Sequence, residues 1–384
     1  MKDVARSLRS RRAVALQTAL VVLILALAWF FYDNARANIA AQRMKTGLDF
    51  FWNTAGFGVV QTLIPYDETS TYFRAFLVGL ANTLLVSGLG IAFATVIGFL
   101  VGIGRLSSNW LLARLCGGYV ELVRNLPLLF QILFWYLAVL ATLPRPRDSL
   151  LLFGLYVNNR GLLVPRPLFG EGAEWVLAAL IAGVIIALAF RALARRRQAE
   201  TGELLPVGPV ALGSVVGLPL IVFLLAGAPI SFEVPELRGF NFVGGVRLIP
   251  EFVALLLALS TYTAAFIAEI VRAGILAVAR GQSEAAYSLG LPRRLTLRLI
   301  VVPQAMRVIV PPLTNQYLNL TKNSSLAVAI GYPDFFALFA GTTLNQTGQA
   351  IEIIVITMLV YLAISLATSA LMNWYNRAHA WAER

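Results

Sequence analysis

Residues 75–103 read AFLVGLANTLLVSGLGIAFATVIGFLVGI, an apolar stretch without one charged side chain. A helix needs about 20 residues to cross the hydrocarbon core of a bilayer, and runs of roughly 18 or more apolar residues read as such helices. That core offers the backbone no hydrogen-bond partner, so a spanning segment is a helix or part of a closed barrel. The stretch is continuously apolar rather than alternating, which excludes a barrel strand. It is a transmembrane helix. Working outward, comparable segments lie at Ala13–Tyr32, Tyr119–Leu143, Trp175–Arg191, Pro206–Ala228, Ile249–Val271, Ala305–Ile330 and Ile351–Asn373. The expected fold is an all-α integral membrane protein of about eight transmembrane helices.

Composition agrees. The 384 residues are 59% hydrophobic and 13% charged, against about 25% charged in an ordinary soluble domain. The chain has one cysteine, Cys116, and one histidine, His379, so neither an internal disulfide nor a Cys/His metal cluster can form. Cys116 reads as a small residue near a helix start and His379 as a solvated side chain in the C-terminal tail. No metal or other cofactor is expected in this chain. A net charge of +12 raises nucleic acid as a partner, but the arginines cluster at segment ends, as membrane topology requires. Nucleic-acid binding is therefore excluded.

The N-terminus, MKDVARSLRSRR, precedes an apolar run too long for a signal peptide and followed by no clear cleavage site, so it reads as a retained anchor helix. With the N-terminus inside, inner segments hold about twice as many Lys and Arg as outer ones, which puts both termini in the cytoplasm. Arg145, Arg147, Arg160 and Arg166, in an outer loop, run against that rule. The mixed segment Asp33–Arg74, with its aromatic run FFWNTAGFG, reads as interfacial and outer. Residues 144–248 look like an inserted helix pair joined by the basic turn RALARRRQAETGE; a pair of spans leaves the orientation of everything downstream unchanged. The expected organisation is an anchor and outer segment (1–74), a first core block (75–143), the insertion (144–248) and a second core block (249–384).

The most informative connection between spans is 272–307. There Gly281 is expected to break the preceding helix, Ser283 to act as N-cap and Glu284 to suit the helix dipole in the first turn. Ala285 to Leu289 continue a short helix that Gly290 and Pro292 end. Small residues on such a helix let another protein approach closely, while Arg293, Arg294 and Arg298 can meet acidic groups or lipid phosphates.

Glu284-Ala285-Ala286, followed after three residues by Gly290 and after nine more by Ile300-Val301-Val302-Pro303, resembles the EAA loop of bacterial ABC-importer permeases; the family's usual Leu before the proline is Val302 here. Ala81-Asn82-Thr83-Leu84, the run Glu121–Leu129, Ala268–Gly274 and Pro311–Asn315 are similar to polar-amino-acid permeases. The run Lys322-Asn323-Ser324-Ser325-Leu326, with Gly331-Tyr332-Pro333-Asp334, most resembles the general L-amino acid transporter permeases. The resemblance implies a five-helix permease core, with the anchor helix and inserted pair as additions, in the bacterial inner membrane. It implies that Gly281, Glu284, Ala285, Ala286, Gly290 and Pro303 belong to a coupling element that docks on a separate ATPase. It also implies a periplasmic amino-acid-binding protein delivering L-amino acids and a second homologous permease, in a heterodimer.

Lys322 lies 15 residues after Arg307, roughly 22 Å along a helix, in the outer half of the membrane. Ionisable groups at such depth face the bundle interior or a water-filled cavity. Lys322, with Asn323, Ser324 and Ser325, is therefore a candidate lining of a substrate pathway; the alternative is a salt bridge or snorkelling contact. Glu269 and Arg272 stand at an i,i+3 spacing that permits a local ion pair. None of the three lysines (Lys2, Lys45, Lys322) follows a glycine, so the chain has no Walker A loop and ATP must be bound by another subunit. An ion-coupled secondary transporter would carry mid-span carboxylates, which are nearly missing. A non-transporting scaffold would account for the hydrophobicity but not for Lys322 or the ordered loop.

Overall fold

The structure, a computed structural model, describes residues 2–41, 46–152, 154–203, 205–239 and 241–379. Lys45 and Arg384 lie outside the described residues, as do the side chains of 2–12 and His379. Helix α1 (Lys2–Ala41) is followed by a 3-10 turn at Asp49–Trp52, α2 (Tyr72–Gly104), α3 (Trp110–Arg124) and α4 (Leu128–Leu133), which π-helical turns prolong to Leu140. Strands β1 (Leu150–Leu152), β2 (Leu155–Asn158), β3 (Gly161–Val164) and β4 (Arg166–Phe169) lead into α5 (Ala173–Thr201). Helices α6 (Val207–Leu212) and α7 (Leu218–Leu225) return, and β5 (Ile230–Glu233), β6 (Glu236–Arg238), β7 (Asn241–Val243) and β8 (Val246–Leu248) precede α8 (Pro250–Leu276). The chain ends with α9 (Arg280–Ser288), α10 (Arg293–Thr296), α11 (Val302–Asn323), α12 (Leu344–Thr347) and α13 (Ala350–His379).

Among the described residues, seven helices are long and apolar enough to cross a membrane, or up to eight if the bent pair Trp110–Arg124 and Leu128–Leu140 forms one span. The helical membrane bundle expected from the sequence is thus observed. Two details differ. The apolar part of α1 extends to Asn38, beyond the expected end at Tyr32. The expected span Tyr119–Leu143 is broken between Arg124 and Leu128, where the two helices meet at 108°. Pro127 is the cause: it has no amide hydrogen and drives the residue before it out of the helical region. The freed carbonyls do not go unpaired, because Gln131 Nε2 donates to Val123 O and Leu126 O at 2.9 and 3.1 Å.

The chain folds as two compact units, Met1–Ala113 with Phe266–Arg384, and Arg114–Ala265. In the first, the segment after α1 packs down. Phe50 is buried with Tyr72, Phe335, Phe339 and Ile353, and Phe51 and Phe76 lie against them. Asn82 Nδ2 donates to Gln61 O and Pro333 O at 2.9 and 2.8 Å, and Thr83 Oγ1 accepts from the Phe335 amide at 2.9 Å. One asparagine thereby ties α2 to segments on either side of it in sequence. The Tyr66 hydroxyl donates to Phe57 O at 2.9 Å, and burial pushes its pKa up to about 12. Hydroxyls of Thr69 and Ser70 donate to Asp67 Oδ1, which holds that carboxyl below its usual range.

Close backbone approach along α2 requires glycine. A Cβ on Gly79 would lie 2.9 Å from Phe335 Cα, and one on Gly102 only 2.7 Å from the Ala268 carbonyl oxygen of α8. Small residues at such crossings are what allow helices to pack where no hydrophobic force drives them together.

In the second unit, Tyr119 Oη donates to Thr261 O at 2.6 Å and Tyr136 Oη to Glu251 Oε1 at 2.9 Å, anchoring α3 and the turns after α4 to α8. Helices α5 and α6–α7 form a tight hairpin, with Gly183 against the Ser214 carbonyl. The sequence reading contained no strands. The connections flanking this hairpin nonetheless form a four-stranded antiparallel sheet in the order β1-β2-β3-β8, together with the pairs β4–β5 and β6–β7. Strands of three or four residues are too short to show a period in the sequence.

Replacing Gly102 by Val is expected to cost about 1–3 kcal/mol, the usual range for overpacking, and to lower the thermal transition measured by fluorimetry in detergent. Gly88→Ala, on the same helix with open space around it, is expected to leave that transition in place.

Candidate functional site: the α8–α11 connection and the end of α11

Helix α8 ends at Leu276, and Ala277-Val278-Ala279 turn the chain into α9. The helix break therefore precedes Gly281 rather than falling on it. Gly281 and Ser283 both lie inside α9, and Ala279 occupies the N-cap without a side-chain hydrogen bond. The start was misplaced because a cap-type serine and a glycine are strong local signals, whereas an Ala-Val-Ala turn has none. The end of α9 is as expected. Gly290 adopts φ +77°, its amide bonds Tyr287 O at 2.9 Å, and the Leu291 amide bonds Ala286 O at 3.1 Å. These are the two hydrogen bonds of a Schellman C-cap, which needs the left-handed conformation glycine adopts without strain.

Helix α9 is held along one side and open along the rest. Ala286 is buried at 1% exposure, and Gln304 Nε2 of α11 donates to Gln282 Oε1 at 3.2 Å. Glu284, Ala285 and Tyr287 face outward, and Leu289 at the tip is 82% exposed. The outward surface thus carries an acidic side chain among apolar ones. Behind it, α10 runs into α11 through π-helical turns at Leu297–Val301. Pro303 follows immediately, as the second residue of α11. A π-turn before a proline relieves the clash with the carbonyl one turn back. Gly274 of α8 lies against the Ile309 side chain of α11, with the Ala305 carbonyl beyond it, so a larger residue there would clash behind the loop.

Lys322 lies in the last turn of α11, exposed, and makes no ion pair among the described residues. Asn323 beside it is half-buried. Ser324 is buried, its Oγ donating to Thr321 O at 2.8 Å, and Ser325 Oγ donates to Lys322 O at 2.8 Å. The two serines thus cap carbonyls where α11 tightens into the 3-10 turn Ser324–Ile330. The four residues share one helix end, with Lys322 outward and Ser324 inward.

The expected Glu269–Arg272 pair forms, with Arg272 Nη2 at 2.6 Å from Glu269 Oε1. The sequence did not disclose that Arg105, at the end of α2, bonds the other oxygen of the same carboxylate. Their separation of 164 positions hides the pair; a basic residue closing a span was the only signal.

Known proteins decide what this arrangement belongs to. Residues 209–380 match the family model described as binding-protein-dependent transport system inner membrane component. The putative amino-acid ABC transporter permease protein YhdX of Escherichia coli K12 is 52% identical over 374 residues, covering 97% of this chain and 95% of its own. The chain belongs to this permease family. The permease is likewise 51% identical to the general L-amino acid transport system permease protein AapQ of Rhizobium johnstonii, over 97% of this chain and 93% of that one. Against the glutamate/glutamine/aspartate/asparagine transport system permease protein BztB of Rhodobacter capsulatus it is 42% identical, over 97% and 95%. Among solved structures, a crystal structure of an amino acid ABC transporter with histidines covers 80% of the permease and 95% of its own chain, at 21% identity and a TM-score of 0.48. The family and these relatives make the permease a multi-pass transport subunit of an ABC importer, and the family implies an ATPase and a binding protein as partners.

Gly290→Val places a branched side chain at a left-handed position and should cost about 1–2 kcal/mol locally, visible as faster amide exchange across 285–291. Gly281→Ala, inside the helix and with nothing near its Cβ position, should slow exchange there instead.

Proposed function

We propose that the permease imports amino acids, with both termini in the cytoplasm and α9 as the helix that couples ATP use by a separate subunit to movement of the spans. The observation carrying this reading is the exposed face of α9, with Glu284, Ala285 and Leu289 outward and Gln282 and Ala286 held from behind. A force applied to such a helix passes into α8 before it and α11 after it, where the Ile309 side chain lies against Gly274. The names of the three relatives, all permeases of amino-acid systems, support the substrate class. The absence of a Walker A pattern in the sequence supports an ATPase site on another chain.

In this mechanism a binding protein delivers the amino acid to the outer face, and closure of the ATPase pair shifts α9 and re-orients the bundle. A second, homologous permease frames the pathway with this one. The exposed ammonium of Lys322 then attracts the substrate carboxylate, and Ser324 and Ser325 hold the helix end that carries it. Residues 75–143 and 249–384 supply the core blocks, and 1–74 and 144–248 are additions to it.

The first test is a mild-detergent pull-down of tagged permease with mass spectrometry, alongside Glu284→Arg. Recovery of an ATPase and a second permease, with the ATPase lost in the variant, is expected; a solitary protein in both would overturn the assignment. For the pathway, Lys322→Met should lower amino-acid uptake at least tenfold at equal protein level. Unchanged uptake and affinity would remove Lys322 from the route.

A further inference from the structure

The connection after α11 buries a carboxyl group. Asp334 lies between the spans that end at Ile330 and begin at Ala350. It is fully buried and makes no ion pair among the described residues. Its Oδ1 accepts from the Ala337 amide at 2.8 Å and so caps the helical turns Phe336–Thr343 that lead into α12. Its Oδ2 faces the Tyr361 hydroxyl of α13 at 3.4 Å. The cap alone does not require an acid, because asparagine fills an N-cap equally well and brings no charge into the interior.

The surroundings of Asp334 are fixed from two other elements. Asn82 of α2 donates to Pro333 O, and Thr83 accepts from the Phe335 amide, so the backbone is held on either side of the carboxyl. Tyr332 Oη donates to Asn82 O at 3.3 Å, and the rings of Phe335 and Tyr361 meet at 6.0 Å between centroids. Besides Asp334, the Tyr361 hydroxyl reaches the hydroxyls of Ser324 and Thr83. Ser324 directly follows Lys322 and Asn323, and its Oγ closes the last turn of α11 on Thr321 O. A line of polar contacts thus runs from Asp334 through Tyr361 to the helix end that presents Lys322, all within one compact unit.

Tyr361 has a single hydroxyl hydrogen to share among these neighbours. A neutral Asp334 can donate its own O–H to Tyr361 Oη, which leaves the phenol hydrogen for Ser324 or Thr83. An ionised Asp334 only accepts, and a charged acceptor makes the stronger bond, so the phenol hydrogen turns to it and away from the serine. Burial pushes the Asp334 pKa up to about 7, against the lowering pull of the Ala337 and Phe336 amides and of Tyr361. Among the described residues the titratable groups that face it are Tyr332 on its own turn and Tyr361 on α13; α2 and the end of α11 present Asn82, Thr83 and Ser324.

We infer that Asp334 is a positioning residue for translocation: in its neutral form it frees the Tyr361 hydroxyl to hold Ser324, and so fixes the end of α11 that carries Lys322 and Asn323. Ionisation turns Tyr361 away and loosens that end, so uptake falls as pH rises through neutrality. This rests on the importer function and on the pathway role of Lys322 proposed above.

The test measures ATP-driven amino-acid uptake by the complete transporter and its binding protein in proteoliposomes, at about pH 6 and about pH 8 on both sides. Each variant is read as a ratio to wild type, which cancels the pH response of the other subunits. Asp334→Asn keeps the cap acceptor and can donate to Tyr361 at either pH. Its ratio is expected to rise at least about threefold between the two pH values. Tyr361→Phe keeps the ring against Phe335 and cuts the link to Ser324; its uptake should lie below wild type at the lower pH and approach it at the higher. A purely structural role would lower either ratio equally at both pH values, and that result would overturn the inference while leaving the importer function standing. If Asp334→Asn does not fold, a constant ratio for Tyr361→Phe overturns it alone.

Thermal unfolding reads the proton independently of transport. Folded Asp334 keeps its proton up to about pH 7, whereas an unfolded aspartate loses it at about 3.9. The folded state binds the extra proton between those values, so stability falls as pH rises through them. The fall should be smaller in Asp334→Asn and should persist in Tyr361→Phe. Parallel curves for wild type and Asp334→Asn would also overturn the inference. A wild type that takes up no amino acid at either pH would defeat the functional reading itself.

Discussion

In an apolar solvent every backbone amide and carbonyl must find its partner within the protein, and the course of this chain follows from that constraint. Long helices meet it by themselves; the places where they stop do not. At three of them a side chain bonds the backbone. Gln131 takes the carbonyls freed before Pro127. Ser324 and Ser325 take those freed where α11 tightens. Asn82 donates to carbonyls of two segments that meet on α2.

The same economy shapes helix packing. Helices in lipid gain no hydrophobic energy by meeting each other, so contact depends on how closely the backbones approach. Gly79 and Gly102 provide that approach. Gly274 leaves room for the Ile309 side chain between α8 and α11, the two helices on either side of the α9 loop. Glu269, shared by Arg105 and Arg272, fastens α2 to α8 within the same unit.

The connections flanking the α5–α7 hairpin follow a different rule, because they lie outside the helices long and apolar enough to cross a membrane. There the chain forms short strands, and sheet pairing joins residues from both sides of the helix hairpin. Charge that is costly inside the bundle can collect on this layer.

Much of the fold was legible in the sequence because the relevant signals are local. Apolar length gave the spans, and the Glu-Gly-Pro spacing marked α9, whose glycine end at Gly290 follows from one residue's conformational freedom. The i,i+3 pair Glu269–Arg272 was legible for the same reason, since helix geometry alone places those side chains together. What only the tertiary structure decided are meetings between distant parts of the chain. Arg105 at Glu269 and the burial of Ser324 beside an exposed Lys322 depend on which surfaces pack. No short window of sequence records that. The start of α9 shows the limit from the other side: Gly281 and Ser283 carried strong local preferences, and the helix began three residues before Ser283 because nothing nearby required a cap. Sequence determines what each segment can do in its solvent; packing determines which segments share a site, because that depends on pairwise fit across the whole chain.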